Sequence, residues 1–179
     1  MARTIVHVGR KIKVALDESP GRDGQLVRRD IILHPGAVAI LPLLDEDHLC
    51  LLRNRRPVVG DTLLEIPAGT LEPGEDPDLA AHRELAEETG YRAGRMDKLH
   101  RFFPSPGVID EATHLYVARE LVPGEMRLEL DEDLEPIRVA WTQALSWVMD
   151  GTIRDAKTLV AVLLWQRLRE GGLERLGSL

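Results

Sequence analysis

Residues 69–91 read GTLEPGEDPDLAAHRELAEETGY, a loop rich in turn formers running into a punctuated helix. Asp76 is placed to cap the helix, Pro77 fills its first position, where a missing N–H costs nothing, and Gly90 falls just past its end. At about 100° per residue, Glu84, Glu87, Glu88 and Ala80 fall within roughly 60° of one another. Leu79, His82, Leu85, Ala86 and Thr89 occupy much of the far arc and are expected to face the core. Glu72 and Glu75 precede the helix in the loop and can fold over the same end. Glu84 and Glu88 repel at i,i+4, and two of the three helical glutamates lie in the C-terminal turn, where the dipole disfavours negative charge. Arg83, four residues before Glu87, neutralises one of them. The rest call for an external cation. Carboxylate oxygens are hard ligands, which indicates Mg²⁺ with Mn²⁺ as a substitute, and no histidine or cysteine cluster suits zinc. On the glutamates alone, a solvated acidic helix is the competing reading.

The spacing decides between them. Gly69, five residues to Glu75, seven to Arg83-Glu84-Leu85, then Glu87-Glu88, one residue, Gly90 and Tyr91 resemble the signature of the Nudix hydrolase family. Seven fixed identities at ordinary residue frequencies coincide by chance about once in 10⁸ registers. Tyr91 departs from the aliphatic residue usual there. The resemblance covers roughly residues 28–145. It implies an α/β/α sandwich around a mixed β-sheet, here with an N-terminal β-strand appendage over residues 1–34 and the hydrolase domain over 35–179. It also implies a metal-dependent pyrophosphohydrolase acting through metal-activated water. By this likeness Glu84 and Glu88 are the principal metal ligands, Glu87 is a further one, and the Ala68 carbonyl is a backbone ligand. Arg83 orients the carboxylates, and Glu75 is a brace rather than a ligand.

The flanks narrow the substrate. Arg56-Pro57, the run Leu64–Gly69, and Pro104-Ser-Pro-Gly107 followed by Asp110-Glu111 resemble ADP-ribose pyrophosphatases, in which a proline lies fifteen residues beyond the motif. Here that proline is Pro106, expected at the substrate. The implied reaction is ADP-ribose to AMP and ribose 5-phosphate. Another nucleotide sugar or a dinucleoside polyphosphate is the alternative substrate, and a catalytically silent ADP-ribose sensor is the alternative class. Enzymes of this branch are homodimers that exchange N-terminal strands. By that likeness Arg28 or Arg29, together with Arg56, contacts phosphate or ribose, and Glu111 contacts the terminal ribose. The general base is expected in the acidic loop Glu129–Glu135, with Glu135 preferred and Glu132 second. Pro136 fits that alignment poorly, and Glu87 or Glu88 is the alternative base.

The rest of the chain bounds the answer. Its 179 residues, 44% hydrophobic and 30% charged, fit one ordinary globular unit. A net charge of −7 excludes a general affinity for nucleic acid, whose backbone needs a basic surface. A phosphate ligand must then find local cations. The lone Cys50 excludes an intrachain disulfide, and its apolar surroundings mark a buried thiol. Without a signal-like segment or an 18-residue apolar run, no membrane partner is expected, and a cytoplasmic location is. Alternation predicts a hairpin around Gly9-Arg10 and strands over 25–33, 37–44, 49–53, 63–66, 99–103, 113–118 and 137–141. Two late helices are expected over 142–150 and 156–169.

Overall fold

The computed structural model describes residues 2–128 and 132–171. In chain order come strands β1 (Ala2–Val8), β2 (Lys13–Pro20), β3 (Leu26–Leu33), β4 (Ala37–Pro42), β5 (His48–Arg56), β6 (Asp61–Glu65) and β7 (Ala68–Thr70). Helix α1 (Pro77–Thr89) follows, then β8 (Tyr91–Phe102), β9 (Thr113–Pro123), β10 (Leu134–Ala140), α2 (Trp141–Met149) and α3 (Ala156–Gly171). They form three sheets, ordered β1-β2-β3, β10-β5-β6 and β7-β4-β9-β8. The last is mixed, because β4 and β9 run parallel while their other neighbours are antiparallel.

β4 is buried along its whole length, as a strand covered on both faces must be. One face packs with Leu49, Leu51, Leu115, Val117, Trp141 and Trp165, joining the two inner sheets to α2 and α3. Val38 and Ile40 on the other face meet Ala80, Ala81 and Leu85 of α1. The two inner sheets therefore lie between α1 on one side and α2 and α3 on the other. Cys50 is buried at 2% exposure, and burial pushes its thiol up to about 12, so it stays protonated and inert. Among the described residues, no helix is long and apolar enough to cross a membrane.

The punctuation of α1 fits its local chemistry. Asp76 accepts from the Asp78 N–H at 2.7 Å, and Gly90 adopts φ 71° while its N–H closes on Ala86 O at 3.0 Å. The buried arc differs from the sequence expectation. Leu79 is 69% exposed and His82 is exposed, whereas Glu84 and Glu88 lie buried beside Ala80, Ala81 and Leu85. The helix leans its carboxylate stripe into the protein, because Ala80 and Ala81 allow close approach to β4 on either side of it.

The first three strands form a sheet of their own, and β8 extends well beyond the strand expected at 99–103. This outer sheet is tied to the rest by Ile32 N–H to Val108 O at 2.8 Å and Asp110 N–H to Ile32 O at 3.1 Å. The His34 N–H adds a bond to Asp110 Oδ1 at 2.8 Å. Of the expected acidic loop, Glu129 and Asp131 lie outside the described residues.

Candidate active site

The site is built on the short strand β7 and the helix that follows it. β7 pairs with β4 and brings Ala68 and Gly69 against α1. The Ala68 N–H donates to Glu88 Oε2 at 2.8 Å. Glu84 lies directly over the next residue: a Cβ built on Gly69 would stand 1.8 Å from Glu84 Oε1. A side chain there would displace the Glu84 carboxylate. Glycine is required for close approach of the backbone rather than for its dihedral freedom.

Arg83 ties the glutamates together. Its Nε and Nη2 donate to the two oxygens of Glu75 at 2.9 and 3.0 Å, a bidentate pair. Its Nη1 donates to Glu84 Oε1 at 2.7 Å and to Glu87 Oε2 at 3.0 Å. These contacts hold the guanidinium well above its usual range, with Glu75 the largest cause.

Burial acts on the acids in the opposite sense. Desolvation raises Glu84 above the ordinary carboxylate range, against the pull of Arg83 and with help from the charges of Glu87 and Glu132. Glu88 is pushed up to about 8, chiefly by burial, although the Ala68 N–H stabilises its anion. Two carboxylates sunk this deeply without a full complement of partners are poised for a cation.

These residues line a cleft of about 800 Å³. Ala68, Gly69, Arg83, Glu84, Glu87 and Glu88 share it with Arg56, Glu111 and Glu132. Glu111 accepts a bond from Thr113 Oγ1 at 3.0 Å. Arg56 presents a fork to Glu65, with Nε to Oε1 at 2.9 Å and Nη2 to Oε2 at 2.6 Å, and Glu65 is 1% exposed. Its Nη1 takes no part in that pair.

Four residues singled out in the sequence are not among those lining this cleft. Arg28 and Arg29 are exposed on β3, where Arg28 bonds its register partner Glu18 at 2.5 Å and Arg29 reaches diagonally to Ser19 at 2.6 Å. Pro106 is exposed in the turn after β8. Glu135 points outward, 68% exposed and 3.3 Å from Arg53, its register partner on β5. On sequence Glu135 is the preferred base and Glu132 the second; of the two, Glu132 lines the cleft. β10 begins at Leu134, which is buried, and the next residue, Glu135, is exposed.

Other contributors went unread in the sequence. Lys157 lines the cleft from the first turn of α3, 2.6 Å from Asp155 Oδ1. The α3 start is fixed beside the site by the bond from Ile66 N–H to Thr158 Oγ1 at 2.9 Å. Residues 9–13 of the β1–β2 turn line the cleft as well. Both segments are remote in sequence from the motif, and neither carries a local signal.

Among the described residues, no three His, Cys, Asp or Glu side chains form a ready-made metal cluster. Arg83 and the Ala68 N–H hold the carboxylates instead. The donor set nevertheless suits a hard divalent ion, being all oxygen, buried and over-rich in negative charge, beside backbone that only glycine leaves open.

Comparison with known proteins agrees on the family. The family model described as NUDIX domain matches residues 33–161. The methanol dehydrogenase activator of Bacillus methanolicus is 41% identical over 156 residues, covering 86% of this chain and 84% of that protein. The ADP-ribose pyrophosphatase of Bacillus subtilis (strain 168) is 39% identical over 164 residues, covering 90% and 89%. A solved structure described as an ADP compounds hydrolase superposes with a TM-score of 0.80 at 25% identity, covering 96% of this chain and 94% of its own.

Proposed function

Since the chain belongs to the NUDIX family, we propose that it hydrolyses the pyrophosphate of a nucleoside diphosphate sugar, with ADP-ribose preferred and AMP and ribose 5-phosphate as products. The observation that carries this reading is that Glu84, lying over Gly69, Glu88, bonded to the Ala68 N–H, and Glu87 line one cleft large enough for such a substrate. The likeness to an ADP-ribose pyrophosphatase supplies the choice among sugars.

Hydrolases of this family generally use divalent metal ions. Glu84 and Glu88, with Glu87 and the Ala68 carbonyl, are the groups we assign to hold one, Mg²⁺ in the first place and Mn²⁺ as a substitute. When bound, such an ion neutralises phosphate charge and makes water a better nucleophile at neutral pH. The protein's own residues do the remainder. Arg83 keeps Glu84 and Glu87 oriented and is itself steadied by Glu75. Glu132 takes the proton from the attacking water, a role we move to it from Glu135 because it lines the cleft; Glu87 remains the other candidate. Arg56, braced by Glu65, offers its remaining edge to the diphosphate. Glu111 accepts from a ribose hydroxyl.

We further read the chain as a cytoplasmic homodimer that exchanges N-terminal strands, with Arg28, Arg29 and Pro106 serving the partner's cleft. Ile5, Val6, Val8 and Leu26, between 45% and 65% exposed, support this as an apolar surface on the outer sheet. Sedimentation as a monomer at micromolar concentration would remove it.

The decisive test is magnesium-dependent release of AMP from ADP-ribose, run beside GDP-hexose and dinucleoside polyphosphates. Glu88→Gln is expected to lose at least about 10²-fold, the scale of removing a group the reaction depends on. Full turnover by that variant overturns the assignment. The 41% likeness to an enzyme activator favours one second reading, a regulatory protein. Absence of turnover across the whole panel, with ADP-ribose still bound, would select it.

A further inference from the structure

Strand β5 alternates toward its end. Arg53 and Arg55 are exposed on the outer face, while Leu52 and Asn54 are buried on the inner one and Arg56 comes next along it. Asn54 is only 6% exposed. Leucines face it across both neighbouring strands, Leu134 of β10 on one side and Leu63 of β6 on the other. Strand patterning assigns such a position to an aliphatic residue, and asparagine is among the residues depleted from strands. The local sequence thus works against the fold at this one place.

A carboxamide carries two N–H donors and an acceptor oxygen. Among the described residues, none forms a side-chain hydrogen bond with that of Asn54. Buried polar groups in folded proteins are paired, so one left open calls for a partner from outside the chain. Asn54 lines the active cleft, which is the route by which such a partner reaches it. The neighbours indicate its chemistry. Arg56 follows about 7 Å along the same face, with Nη1 outside its pair with Glu65. Arg56 and Glu88 feel each other's charge, so this face and the motif carboxylates look onto one space. A group held there meets an amide donor and a guanidinium together, a pairing suited to anionic oxygens.

We propose that Asn54 is a substrate-binding residue, its carboxamide N–H donating to a nonbridging phosphate oxygen of the diphosphate beside Arg56. This rests on reading the cleft as that of a nucleoside diphosphate sugar hydrolase. The oxygen it meets is anionic before the reaction as well as during it. The contact therefore strengthens binding of substrate and transition state alike, lowering KM and leaving kcat unaltered. It also accounts for a polar residue where leucine would pack, since a binding group is kept at the expense of stability.

The test is Asn54→Leu, which keeps the size and removes the polar atoms, in the whole chain. With ADP-ribose and magnesium, KM is expected to rise at least about tenfold, the scale of a hydrogen bond to a charged group, while kcat changes less than about threefold. The melting temperature without ligand should rise, because an apolar group replaces an unpaired amide among leucines. Asn54→Asp keeps the shape but sets a negative charge where the donor was, and should raise KM at least as much. The methylene-bridged analogue of ADP, titrated calorimetrically with magnesium, gives a second readout, and both variants should weaken it by about tenfold. Unchanged KM and unchanged analogue affinity in Asn54→Leu overturn the proposal, as does a loss confined to kcat. Should Asn54→Leu fail to fold, unchanged analogue affinity in Asn54→Asp overturns it instead. If the wild type binds the analogue but cleaves no diphosphate sugar, the catalytic reading falls while the titration still judges Asn54.

Discussion

Gly69 and Glu84 constrain each other. One methyl group on the glycine would occupy the place of the Glu84 carboxylate, so either the backbone or the acid must move. Gly69→Ala is expected to leave the far-ultraviolet circular dichroism unchanged and to reduce kcat by about 10²-fold, the scale of a misplacement near 1 Å at a reacting centre. Wild-type turnover by that variant would show that Glu84 need not lie there. Glu88 yields a pH signature in the metal-free protein. Folded, it keeps its proton up to about pH 8, whereas its ordinary value is 4.5. Over that interval the folded chain binds more protons than the unfolded one, so stability is full below about pH 4.5 and declines as pH rises toward 8. Glu88→Gln, which cannot ionise, should flatten this part of the profile in thermal melts recorded with a chelator. An equally steep decline in the variant would place the titrating group elsewhere.

At the scale of elements, helix α1 shows what the sequence discloses and what it withholds. Its ends could be read directly, because a cap is a contact between residues two to four apart. Asp76→Ala should cost about 1 kcal/mol in a urea titration, with activity per folded molecule retained. An unchanged midpoint would mean the bond to Asp78 contributes nothing. Which arc of α1 is buried could not be read, since that depends on β4 and β7 arriving from elsewhere in the chain. Leu79 and His82, expected to face the core, are exposed, while Leu85 and Thr89 are buried as expected and Glu84 and Glu88 are buried with them. β10 starts at Leu134, earlier than the Ile137 expected, so Glu135 lies within the strand and pairs with Arg53 of β5, a register set by tertiary structure and not by local sequence. The pairing of Arg56 with Glu65 escaped notice as well: the two are not register partners, Arg56 facing Asp61 and Glu65 facing Leu52, and only the reach of the arginine side chain joins them.

Over the whole molecule, the cleft is where separately folded pieces meet: the outer sheet's turn, the motif strand with α1, the end of β5, and the first turn of α3. The motif identifies one wall of it and the layered fold in outline, because those follow from spacing along the chain. The remaining walls come from residues scattered along the chain, from Gly9 to Lys157, and only tertiary structure assembles them. Arg83 bears on this assembly. With four oxygen contacts to three glutamates already made inside the chain, the acidic wall does not depend on an ion to close. Adding EDTA should leave the circular dichroism spectrum intact, and magnesium should raise the melting temperature only as a ligand binding a finished fold does. A collapse of the spectrum would contradict this. The consequence is one of sequence in time. The polypeptide can leave the ribosome, fold and wait, and the metal becomes a late arrival that switches a stored apoenzyme into use.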